Sequence, residues 1–186
     1  MPSLTIERVK VRTSDDPLFS TVARAVNPPA RQADRTLFLP AYAGFNIAEG
    51  SKVDISYFYE PPWDEPWATP KRTFDRHLRT DELWVAMEGD MWVAMAPCRR
   101  PDDPQDTPQP EDMLCFEIKQ GDAFVVRPNT WHTGPWPAQP GQAVRFFMLL
   151  SGHRKADSGD NVDHIMRDFP DAAAILPDVD AEGRPR

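Results

Sequence analysis

Cysteine is nearly absent from this chain: two among 186 residues, Cys98 and Cys115, with no CxxC spacing. Two such residues build neither a disulfide framework nor a thiolate zinc site, and both are expected to be ordinary buried or half-buried thiols. No apolar run approaches the roughly 20 residues that span a bilayer, so the sequence predicts no membrane crossing. The residues from Met1 to Arg8 lack the basic start, apolar stretch and small-residue cleavage site of a signal peptide, which predicts a cytoplasmic protein. Positive charge is in deficit as well. Against 29 Asp and Glu stand 21 Lys and Arg, dispersed along the chain, for a formal charge of −8. Such a surface repels nucleic-acid phosphates and anionic membranes, and the expected partner is a small-molecule substrate.

Proline, by contrast, is abundant, at 21 residues. It lacks a ladder donor and fixes its own φ, so it favours short strands and ordered turns over long helices. The length suits one domain, residues 1–186, with one substantial core. Strand-like runs rich in aromatic and β-branched residues recur at 36–39, 53–59, 83–87, 91–95, 113–118, 123–126 and 144–150. In the first half of the hairpin 83–95, Leu83, Val85 and Met87 point one way and Trp84 and Ala86 the other. The same division follows the turn at Glu88, Gly89 and Asp90. Both faces are apolar, which suits a closed or sandwiched sheet. Between Pro97 and Glu111, five prolines among acidic residues predict an exposed loop without an assigned function. Asp160 or Asn161 as a cap, then Val162, Ile165, Met166 and Phe169 at helical spacing, predict one short C-terminal helix over 160–169. The tail 178–186 lacks apolar anchors and is expected to fray.

His77 and Glu82 stand just before one strand, with Gly89 in the turn at its far end. Gly121 opens a further segment that runs through a strand and Pro128 to close on His132. Two imidazoles and one carboxylate can hold a divalent metal ion with positions open for substrate, or serve without metal as base and acid. The residues leave both options open.

This two-motif order resembles that of the cupins, in which His and Glu from a first motif and His from a second meet inside a double-stranded β-helix. Asp75 stands where the metal-binding form has its first histidine. With the flanks added, from Ile55 to Pro62, Asp75 to His77, Glu88 to Asp90 and Asn129 to His132, residues 36–153 are similar to the ureidoglycolate lyase family, itself a cupin. Leu78, Glu82 and Thr133 replace that family's Pro, Gln and second His.

The resemblance implies an all-β jelly-roll barrel, a homodimer, and elimination of urea from ureidoglycolate to give glyoxylate. His77 and His132 would transfer the protons, an imidazole being able to serve in either role near neutral pH. Glu82 would orient one of them or ligate a metal. For the substrate's carboxylate, Arg76, Arg79, Arg127 and Lys71 lie near the motifs, Arg127 being preferred, with Asn129 and Trp131 beside the site. Two further readings remain. One is a metal cupin, isomerase or dioxygenase, with His77, Glu82 and His132 holding iron, manganese, nickel or zinc. The other is a non-catalytic cupin that binds a small carboxylate.

His153 and His164 read as surface or satisfied core residues. Trp63, Trp67, Trp84, Trp92 and Trp136 read as barrel or interface filling, while Trp131 stands closest to function because it adjoins His132.

Overall fold

The computed structural model describes residues 4–26, 45–49, 52–62, 69–151 and 163–186. The expected strand at 36–39, together with Trp63, Trp67 and His153, lies outside them. The elements run β1 (Thr5–Thr13), a single helical turn α1 (Phe19–Val22), β2 (Ala23–Ala25), β3 (Val53–Glu60), β4 (Thr73–His77), β5 (Glu82–Glu88) and β6 (Met91–Pro97). There follow β7 (Leu114–Ile118), β8 (Ala123–Val126), β9 (Thr130–His132), β10 (Trp136–Pro137), β11 (Val144–Ser151), β12 (His164–Asp168) and β13 (Ala173–Asp178). The fold is the expected all-β one. Among the described residues no helix is long and apolar enough to cross a membrane.

Two sheets face each other. The larger runs β12-β4-β9-β6-β7-β1-β13, with β10 also paired to β6, and the smaller runs β2-β8-β5-β11-β3. The two apolar faces of the hairpin have separate uses. Met91, Val93 and Met95 point between the sheets and pack with Trp84, Phe116, Phe124 and Phe146. Trp92, Ala94 and Ala96 point the other way, into a second core with Val11, Cys115, Trp131 and Ile175. All six are buried, and each of the larger side chains contributes about 1.5–3 kcal/mol by leaving water. That double burial is why β6 reads as a continuous apolar run.

The predicted C-terminal helix is not formed. Residues 160–162 lie outside the described part, and His164–Asp168 is the strand β12, antiparallel to β4 with His164 opposite His77. Its side chains alternate: Ile165 is buried and Met166 is 56% exposed, whereas a helix would carry these neighbours on one apolar face. Pro170 supplies the physical reason, because it disfavours helical backbone at Phe169, which is extended at φ −58° and ψ 146°. The free edge of β4 offers partners that a short helix end lacks.

The tail folds back on itself. Val179 bridges Pro185, and the Asp180 carboxylate accepts hydrogen bonds from the Glu182 and Arg184 amides. The loop after β6 is likewise only partly exposed, since Asp106, Pro108 and Pro110 are buried. Asp106 accepts from the Cys98 thiol and the Arg100 guanidinium, and Arg76 donates to the Asp103 carbonyl.

The β5–β6 turn depends on a glycine. Gly89 has φ +77°, and a Cβ there would lie 2.4 Å from the Ala143 carbonyl oxygen. Gly89→Ala is expected to lower stability by about 2 kcal/mol or more in chemical denaturation, strain and a backbone clash acting together. A loss within about 0.5 kcal/mol, the range of an ordinary surface change, would contradict this account of the turn.

Candidate active site

Strand alternation builds the site. On β4, Asp75 and His77 face the interior between the sheets, while Phe74 joins the second core and Arg76 points the same way as Phe74. On β9, Trp131 goes to that outer core and His132 turns inward. Asp75 and His132 are direct cross-strand partners. Glu82 opens β5 on the facing sheet. His77, Glu82 and His132, far apart in the chain, thus meet at one buried point, each 2% exposed.

Three donor atoms converge there. Glu82 Oε2 lies 2.6 Å from His132 Nε2 and 3.8 Å from His77 Nε2. Asp75 Oδ1 is 3.7 Å from His132 Nε2. The ring of His132 is held from behind, its Nδ1 2.9 Å from the Thr130 carbonyl. A carbonyl only accepts, so Nδ1 carries a proton, and Nε2 is the ring nitrogen turned to Glu82. Although in contact, Glu82 Oε2 and His132 Nε2 lack hydrogen-bond geometry. Glu82 Oε2 and the Nε2 atoms of the two rings thus face one point.

Burial alone would make the His132 imidazolium unfavourable, but Asp75 and then Glu82 outweigh it and hold its pKa up at about 10. Burial would likewise raise Asp75, yet His132 and His164 bring it down to about 2. Glu82 is also lowered, the His132 and His77 rings overcoming its desolvation. The floor of the barrel demands positive charge.

A cavity of about 230 Å³ opens above this floor. Asp75, Glu82 and His132 line it, with Glu60 from β3. Its walls are Phe58, Trp84, Phe146, Met148 and Leu150, and Phe146 stacks on both Phe58 and Trp84. Burial pushes the Glu60 carboxyl up, with nearby Lys71 opposing.

The four residues expected to bind substrate lie elsewhere. Arg127 donates through Nε to the Ser20 carbonyl on the exposed surface. Arg76 is fully buried but donates to Asn129 Oδ1 and the Pro101 and Asp103 carbonyls, with its guanidinium over the Trp131 ring. Asn129, at φ 59°, ties the β8–β9 turn to the carbonyls of His77 and Leu78. Arg76, Trp131 and Asn129 thus brace the second core, because period-two alternation turns them away from their neighbours His77 and His132.

Asp75, already marked by its place in the first motif, joins the site as the inward partner of His77 two positions along β4. Two further residues join it without having been singled out for it. His164 and Asp163 carried no comparable signal: His164 Nε2 is 2.8 Å from Asp75 Oδ2, and Asp163 Oδ2 is 3.7 Å from His77 Nδ1. Only the pairing of β12 with β4 brings them in.

No family model and no curated protein matches the chain. Among solved structures it is similar to a TDP-quinovose 3,4-ketoisomerase from Campylobacter jejuni, at 12% identity and TM-score 0.41, over 73% of this chain and 89% of that one. A dTDP sugar isomerase from Desulfovibrio desulfuricans gives 14% and 0.42, over 80% of this chain and 81% of that one. A cupin protein from Bacteroides fragilis gives 10% and 0.31, over 72% and 95%. Likenesses this low bear on neither substrate nor reaction. The class is defined by the chain itself: an all-β protein of two facing sheets with an inward His–Glu–His cluster.

The cluster fits a divalent cation. The ligand atoms of His77, Glu82 and His132 all lie within 4.8 Å of one another, and mixed imidazole and carboxylate sets suit such ions. In metal-stripped protein, His132 binds its proton more tightly folded than unfolded, about 10 against 6.5. The stability this contributes is complete below pH 6.5 and is lost as pH rises towards 10. Asp75 acts with the opposite sign, its contribution being present above 3.8 and lost as pH falls to about 2. Chelator-treated protein should therefore have its highest melting temperature between these limits. A melting temperature unchanged from pH 6.5 to 10 would contradict the assigned charge on His132.

Proposed function

We propose that this chain is a divalent-metal cupin enzyme performing proton-transfer chemistry, elimination or isomerisation, on a small hydroxy- or oxo-acid. The observation that carries the reading is the cavity floor, where buried carboxylates and imidazoles converge and, among the described residues, no arginine or lysine lines the cavity. A carboxylate substrate entering that space would meet like charge from Asp75, Glu82 and Glu60. His77, Glu82 and His132 would hold the ion, with Asp75 beside them. A bound divalent ion supplies a Lewis acid for substrate oxygens and lowers the pKa of a hydroxyl attached to it.

The chain's own groups divide the remaining work. With their Nε2 atoms committed to the common point, His77 and His132 give up the acid–base roles the sequence suggested. Glu60 takes one over in this proposal. It lines the cavity within reach of a bound substrate, and burial raises its carboxyl above the ordinary glutamate value, with Lys71 opposing. The stacked Phe58, Phe146 and Trp84 rings exclude water from the reacting end.

Ureidoglycolate is the first substrate to try, because the motifs from Ile55 to Pro62 and from Asn129 to His132 resemble those of the lyase family. Its hydroxyl and carboxylate are adjacent oxygen donors suited to chelation, which supplies the role Arg127 cannot fill from the surface. Isomerisation of a hydroxy- or oxo-acid places the same demands on the floor.

The test measures metal content by elemental analysis together with glyoxylate and urea release from ureidoglycolate, then turnover of a panel of hydroxy- and oxo-acids. His132→Ala should lose both metal and turnover while remaining folded. Glu60→Gln should keep its metal and lose turnover by about 10²-fold or more, the size of a general acid–base contribution. Turnover that survives complete chelation would overturn the metal reading and return His77 and His132 to acid–base work. Bound metal without turnover of any panel member would leave a binding protein instead.

A further inference from the structure

We infer that Asp163 and His164 form a positioning pair for the ion-binding cluster, each holding one inner residue from behind; the inference rests on the metal reading above. Asp163 immediately precedes β12 and His164 opens it, the register of the strand setting His164 opposite His77. Each turns to a different member of β4. His164 Nε2 meets Asp75 Oδ2 at 2.8 Å, which leaves Oδ1 as the oxygen on the His132 side, 3.7 Å from its Nε2. Asp163 Oδ2 stands 3.7 Å from His77 Nδ1, on the side of the ring away from Glu82. The Leu78 amide donates to the Asp163 carbonyl and the Arg79 amide to its carboxylate, so Asp163 is tied to the chain directly after His77.

The chemistry of ion binding needs such a pair. An imidazole ligand binds best when its other nitrogen faces a carboxylate or carbonyl that selects the tautomer, and a carboxylate ligand when its second oxygen is held. His132 has this arrangement within its own strand, through the Thr130 carbonyl. His77 and Asp75 face theirs in Asp163 and His164. Asp75, His77 and His164 also have ligand atoms within 4.8 Å of one another, so the pair packs directly on the cluster.

The experiment measures affinity for Mn²⁺ and Zn²⁺ by competition with a chelating dye, in the full chain. His164→Ala and Asp163→Asn should each weaken binding about 10–100-fold, the range for lost outer partners of metal ligands. His164→Gln, which keeps an N–H donor, should recover part of the loss. Thr73→Val removes the bond to Asp168 at the far end of the same ladder and should leave affinity unchanged, separating positioning from general support of β12. Near-UV circular dichroism verifies that each variant is folded. Normal affinity in both His164→Ala and Asp163→Asn, with His132→Ala unable to bind, would overturn the inference and leave the metal reading standing. A wild-type chain that binds neither ion would overturn both.

Discussion

Asp75, Glu82 and His132 share the floor of the barrel, and the charge balance there constrains everything around them. An ionised carboxylate leaves water only at large cost unless it gains a cation or strong hydrogen bonds. Here two carboxylates lie against one imidazole, and their joint field reverses the sign of the burial effect on that ring. A proton on His132 satisfies the floor in one way and a divalent ion in another, and the two compete for the same nitrogen. The apolar walls sharpen the competition, since charges act over low-dielectric surroundings between aromatic rings.

The framework that holds this floor is indifferent to its chemistry. Met91, Val93 and Met95 fill the space below, and Trp92, Ala94 and Ala96 fix β6 from the other side. With both faces of the strand buried, a one-residue slip would exchange two differently shaped sets of side chains, and the register is correspondingly firm. His132 is paired in register with Met95 on that strand and with Asp75 on β4. Arg76 adds a brace behind the site, linking β4 to the Asp103 and Pro101 carbonyls and to the β8–β9 turn through Asn129. Residues that chain proximity marked for substrate thus serve to keep the ligand-bearing strands in place.

Much of this was legible in the chain. The strands that carry long apolar runs, β5, β6, β7, β8 and β11, announce themselves by composition, because burial on one or both faces selects for it, and β3 does so by aromatic and β-branched residues that stay largely exposed. Strands such as β4 and β9 do not, because most of their residues are polar. The C-terminal segment misled for a definite reason: Ile165 and Met166 fit a helical stripe as well as a strand's alternation, and the pairing with β4 decided between them.

The sequence by itself determined the all-β character, the two-faced hairpin and the spacing that marks His77, Glu82 and His132, since each follows from local periodicity or motif order within a few residues. Only the tertiary structure decided which charged neighbours face the cavity. It turned Arg76 outward and Asp75 inward, left Arg127 on the surface, and brought Asp163 and His164 against the cluster across 89 positions of chain. The reason is that a side chain's direction is fixed by strand pairing and register, and those are set by contacts between segments that carry no record of each other in the linear order.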